Sequence, residues 1–156
     1  MGFDSQLIEI VKGGVANRGT FLPYTKLRTY INESDELYRS MFILEDGADK
    51  QIKKDGGSIA NYKGSYKLKH IIFDIDRRDD SGDFTQDRAF QFVMTLKDMN
   101  VNEDHIQIWF SGRGFHIEIP DYFGFEPSKE LPQIVKQTLH NEFGNEIDNI
   151  YDKGRI

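Results

Sequence analysis

Asp74 and Asp76 stand one residue apart at the end of an apolar run, Ile71-Ile72-Phe73-Asp74-Ile75-Asp76. In a strand, residues i and i+2 face the same way, roughly 6–7 Å apart. Two carboxylates so placed repel each other, and partial burial sharpens the repulsion. A divalent cation removes it, and two cations about 4 Å apart can clamp both oxygens of an in-line phosphoryl displacement. With oxygen ligands and no thiol, Mg²⁺ or Mn²⁺ is the expected metal. An Asp-x-Asp pair is also common where a strand simply runs into a solvated acidic loop, as Arg77-Arg78-Asp79-Asp80 would be. A calcium loop does not fit: Arg78, Asp79 and Thr85 stand where that loop needs a ligand, a glycine and a glutamate.

Ser111-Gly112-Arg113-Gly114-Phe115-His116 carries the second set of chemical groups. Gly112 and Gly114 let backbone N–H groups come close to an anion. Ser111 offers a hydroxyl, Arg113 a phosphate-matching fork and His116 a ring N–H. Together they suit a triphosphate, without the Gly-Lys-Ser/Thr of a P-loop. The plainer alternative is a glycine hairpin with an exposed His and Arg. Zinc is a poor fit, since the chain has no Cys and His70, His105 and His140 show no paired ligand spacing. The third group is Asp148, at an expected strand start and followed by Lys153 and Arg155; Asp152 is an almost equal claimant.

Between Lys50 and His70 the chain carries Lys50, Lys53, Lys54, Lys63, Lys67 and Lys69 against Asp55, with Tyr62 and Tyr66 among them. Lysines neutralise phosphates and aromatic rings stack on unpaired bases, so this stretch is a candidate track for single-stranded DNA. The same composition describes a solvated lysine-rich loop.

These groups need elements to position them. The first 30 residues, broken by Gly13-Gly14, Gly19 and Pro23, read as irregular. Ser34 to Ser40 reads as a short helix, Met41 to Leu44 as a buried strand and His70 to Ile75 as a second. Ala89, Phe92, Val93, Leu96 and Met99 recur at helical spacing, predicting a helix over 85–99. Strands are expected over 105–110 and 115–119, the latter with Phe115, Ile117 and Ile119 on one face. A helix follows over 126–143, capped by Ser128, with Pro132 in its first turn and Ile134, Val135 and Leu139 inward. A last strand begins at Glu146. Strands alternating with helices give an α/β class.

The chain of 156 residues is one ordinary domain by size, with residues 1–33 poorly defined and a core over 34–156. Its 38% hydrophobic content supports a real core, and the lack of Cys excludes a disulfide framework. No segment approaches a membrane span or a secretory leader, so an intracellular, cytoplasmic protein without a membrane partner is expected. The net charge of −6 argues against a protein that coats nucleic acid over its whole surface, but not against an acidic metal centre.

Taken in order, the three groups resemble the motifs of the archaeo-eukaryotic primase superfamily, which includes primase-polymerases of phages and plasmids. Its first motif, an apolar strand ending in Asp-x-Asp, is matched by Ile71 to Asp76. Its second, Ser and His around a glycine-rich turn, is matched by Ser111 to Ile117. Its third, an apolar residue before Asp, is matched by Ile147-Asp148, running on through Tyr151 into Lys153 and Arg155. The resemblance covers roughly residues 35–156 and favours Asp148 over Asp152. It implies an RRM-like antiparallel or mixed sheet flanked by helices, in a mixed α/β (α+β) core. It also implies two Mg²⁺ or Mn²⁺ ions on Asp74, Asp76 and Asp148, with the nucleotide held by Ser111, Gly112, Arg113, Gly114 and His116, helped by Arg39 and Arg155. The substrates would be an NTP or dNTP and a single-stranded DNA template. A helicase partner would be a separate protein, since no P-loop is present. Such cores usually continue past the third motif, so a C-terminally truncated unit is expected. The alternatives are a metal-dependent nuclease or phosphoesterase using the same acids, and an inactive single-stranded nucleic-acid-binding module.

Overall fold

The structure, a computed structural model, describes residues 6–31, 37–77 and 84–152. It is mixed α+β, with every strand pairing antiparallel. Two compact units divide the chain: residues 1–68, 125–135 and 151–156 form the first, and residues 69–124 and 136–150 the second.

The first unit contains β1 (Leu7–Lys12), β2 (Thr20–Pro23), α1 (Leu27–Ile31), β3 (Leu37–Arg39), β4 (Ile43–Leu44), α2 (Ala48–Lys54) and β5 (Tyr66–Lys67). Within the first 30 residues, expected to be irregular, residues 7–23 form a β-hairpin. Gly13, Gly14 and Gly19 all have positive φ and bend the chain between β1 and β2 rather than dissolving it. β1 also pairs with β3 and β4, and β4 with β5. Residues 37–39 form a strand where a helix over 34–40 was expected; part of that range, 34–36, lies outside the described residues. Ile8, Ile10 and Leu22 make a core against which Tyr24, Leu27, Tyr30 and Leu37 pack. Glu9 is buried beside them, its carboxylate accepting from the Arg18 guanidinium at 3.2 Å and the Gly19 N–H at 2.9 Å.

The second unit holds β6 (His70–Asp76), α3 (Thr85–Asp98), β7 (Gln107–Phe110) and β8 (Gly114–Pro120), with the sheet in the order β6-β8-β7. The short turn between β7 and β8 makes them a hairpin, and β6 joins the hairpin on the β8 side, so the sheet is antiparallel throughout rather than built of parallel crossovers. The helix α4 (Leu131–Phe143) begins among residues of the first unit and ends in the second.

One face of the β6-β8 pair is apolar. Ile71, Phe73, Ile75, Ile117 and Ile119 are buried on it, and α3 covers it with Ala89, Phe92 and Leu96. Phe73, Phe92 and Phe143 form a triangle of rings with centroids 4.8–5.2 Å apart, which ties β6 to α3 and to the end of α4. Because side chains alternate along a strand, this burial sends Asp74 and Asp76 to the other face.

Two helix details differ from the sequence reading. Ser128 does not cap α4; its backbone N–H and carbonyl pair with Tyr66 instead. Ile134 is 44% exposed, because the buried seam of α4 follows Leu131, Val135, Leu139 and Phe143. Pro132 does fall in the first turn. Among the described residues no helix is long and apolar enough to cross a membrane.

Candidate active site

Asp74 is buried at 5% exposure, a costly place for a carboxylate, near the end of β6; Asp76 is exposed at its last position. The segment carrying Asp148 is not the strand expected over 146–150. It leaves a short 3-10 turn, Gly144–Glu146, and meets β6 in one isolated antiparallel bridge, Asp74 to Asp148. The Asp148 N–H donates to the Asp74 carbonyl at 2.8 Å. The Asp76 N–H donates back to Asp148 Oδ2 at 3.1 Å. The three aspartates thus gather at one strand end of the second unit. Asp152, the rival, is exposed and belongs to the first unit.

On β8 the register sets His116 opposite Asp74 and Gly114 opposite Asp76. His116 Nε2 lies 3.1 Å from Asp74 Oδ1. That is charge-pairing distance, but outside hydrogen-bond geometry, so Asp74 Oδ1 is buried without a hydrogen-bond donor. The turn closes on itself: the Ser111 N–H donates to the Gly114 carbonyl at 2.9 Å and the Gly114 N–H to Ser111 Oγ at 3.0 Å. Of the two glycine N–H groups expected near an anion, that of Gly114 is engaged within the turn. Ser111 accepts there and keeps its hydroxyl proton to donate elsewhere. Arg113 is exposed, and its carbonyl accepts from the Arg77 N–H at 3.3 Å.

The two glycines do different work. Gly112 sits at φ +92°, where L side chains are strained. Gly114 has an ordinary φ but no room: a Cβ there would lie 2.2 Å from the Ile75 carbonyl oxygen and 2.9 Å from Asp76 Cα. Gly114 is what lets the turn lie directly against the acidic strand end.

Arg88, on the first turn of α3, escaped the sequence reading. Its guanidinium donates to the Asp76 carbonyl at 3.0 Å and to the Glu146 carbonyl at 3.5 Å, so one side chain holds both segments that carry the acids. A signal was present, since a cation in the first turn opposes the helix dipole and needs another reason to be there.

No family model, no curated protein and no solved structure matches this chain.

The remaining sequence candidates fall elsewhere. Arg39 on β3, Lys53 and Lys54 at the end of α2, Lys63, and Lys67 on β5 belong to the first unit, whereas the acidic cluster lies wholly in the second. Arg155 lies outside the described residues.

The donor chemistry fits a divalent cation. Three carboxylates supply hard oxygens, and the orphaned Asp74 Oδ1 is an acceptor that a cation would satisfy. Among the described residues no group of three or more His, Cys, Asp or Glu side chains is arranged so that it could hold a metal ion, so the three aspartates are not a ready-made site. Mg²⁺ does not need one, because it keeps waters and takes one or two carboxylates together with substrate phosphates.

Proposed function

We propose that this protein is a template-dependent nucleotidyltransferase of the primase-polymerase kind. The observation that carries the reading is the meeting of Asp148 with Asp74 and Asp76 through reciprocal backbone and carboxylate bonds, beside the glycine turn that faces Asp76. Partners distant in sequence have been brought to one edge, and the buried carboxylate among them lacks a donor for Oδ1.

Asp74, Asp76 and Asp148 would hold Mg²⁺ or Mn²⁺. Bound there, such ions lower the pKa of an attacking 3′-hydroxyl and neutralise charge on the triphosphate and the departing pyrophosphate. The chain's own residues do the positioning. Arg113 pairs phosphate oxygens with its fork, Ser111 donates its hydroxyl, and His116, next to Asp74, donates a ring N–H. Arg88 keeps Asp148 in register with Asp76. The template is single-stranded DNA, with Lys53, Lys54, Lys63 and Lys67 as its phosphate contacts.

The test is incubation of the protein with Mn²⁺, a primed template and nucleotides. The primer should lengthen, and Asp74→Ala should abolish extension while DNA binding is retained. Shortening of the primer would instead assign the acids to a nuclease or phosphoesterase. DNA binding indifferent to nucleotide and metal would leave an inactive binding module.

A further inference from the structure

We propose that Trp109 is the platform on which the base of the bound nucleoside triphosphate stacks; this rests on the nucleotidyltransferase reading above. The register places Trp109 opposite His116, and His116 opposite Asp74. Directly opposed residues of antiparallel strands share a face. Asp74, His116 and Trp109 therefore form one row across the sheet, on the face that α3 does not cover. Two strand spacings, roughly 10 Å, separate the acid from the indole. A ligand whose phosphates meet His116 and the carboxylates has its base directed along this row.

Trp109 is the chain's single tryptophan and is 54% exposed. Indole is among the best stacking surfaces for a base, and this one is open to a ligand on the same face as the acids. Its neighbours Ile108 and Phe110 are exposed too, but they point to the opposite face, where Phe110 meets the Phe115 ring at a 5.6 Å centroid distance. Gln107, exposed and two residues before Trp109, shares its face and offers an amide donor and acceptor to a base edge.

Charge selects the nucleotide's base over one from a DNA strand. The same face carries Asp74, Asp76 and Glu118, with Glu118 engaged by His70 at 2.6 Å. A metal-bearing triphosphate brings cations to these acids, whereas a bare run of backbone phosphates is repelled by them.

The lone tryptophan makes the experiment direct. The full chain with Mn²⁺ is titrated with dATP, with inorganic tripolyphosphate and with a thymidine oligonucleotide, while indole fluorescence is followed and nucleotide binding is measured by equilibrium dialysis. Saturable quenching by dATP but not by tripolyphosphate is expected. Trp109→Ala should weaken dATP binding roughly 5- to 100-fold and leave tripolyphosphate binding unchanged, and Trp109→Phe should restore most of the loss. Binding of dATP without quenching, and unweakened by Trp109→Ala, would overturn the stacking role and leave the nucleotide reading standing. Quenching by the oligonucleotide alone would overturn it in favour of a template site. No dATP binding at all would remove both.

Discussion

Gly114→Ala isolates the idea that the turn must lie against Asp76. The added methyl would sit 2.2 Å from the Ile75 carbonyl oxygen and 2.9 Å from Asp76 Cα. Ordinary heavy-atom contact is about 3.5 Å or more, so β6 and β8 must part locally by roughly 1 Å. Overpacking of this size costs about 1–3 kcal/mol, and each kcal/mol lowers the melting temperature of a chain this long by roughly 2–4 °C. A domain stable by about 5–15 kcal/mol stays almost wholly folded after that loss. A misplacement of about 1 Å at a reacting centre, however, can cost roughly 100-fold in rate. Primer extension should therefore fall about two orders of magnitude in a protein that still melts cooperatively. Gly124→Ala is the control, because φ is +67° and a Cβ there meets nothing within 4 Å. It strains the backbone of the same unit without touching the acids, so it should lower the melting temperature and spare the rate. Extension by Gly114→Ala at near wild-type rate, or an equal loss in both variants, would refute the argument.

Arg88→Ala should lower extension at least about tenfold, since charge-assisted hydrogen bonds contribute roughly 1.5–3 kcal/mol. Arg88→Lys should not rescue it, because one ammonium cannot span the Asp76 and Glu146 carbonyls as a fork does. A higher Mn²⁺ concentration for half-maximal rate would separate this positioning role from simple destabilisation. In the first unit, burial raises the phenol pKa of Tyr62, helped by the hydrogen bond it donates to Glu45, and burial pushes Tyr66 up to about 12. Their neutral forms are favoured by folding, so this stability is complete below pH 10, the ordinary phenol value, and is lost as pH climbs through the raised values. Chemical denaturation followed against pH should show stability falling from about pH 10 upward, and Tyr62→Phe should flatten the fall.

The sequence was most legible where one face of an element is buried. The β6 run ends in its two acids because Ile71, Phe73 and Ile75 must face α3, and α3 follows its apolar spacing through Ala89, Phe92 and Leu96. It was least legible where short strands take their place from partners rather than from pattern. Leu37–Arg39 is a strand because β1 pairs with it, and Gly13-Gly14 looked like a break when it was a bend between strands. Asp148 has no strand of its own; the backbone of β6 and the Arg88 side chain fix its segment. The glycine turn was visible, but not that Gly114 is there for closeness to Asp76. Trp109 lay inside a correctly expected strand, yet its place in the row of His116 and Asp74 depends on cross-strand register, which one strand's residues do not encode.

The bond from Asp76 to Asp148 closes a span of 72 residues. All three strands of the second sheet, and the hairpin turn with them, are already spelled out by Pro120. A chain that stops between there and residue 148 lacks its last acid and, if it stops before residue 143, the Phe143 ring that packs on Phe73 and Phe92 as well. Under the proposed chemistry, a premature stop in that interval yields an inert polypeptide rather than an error-prone enzyme.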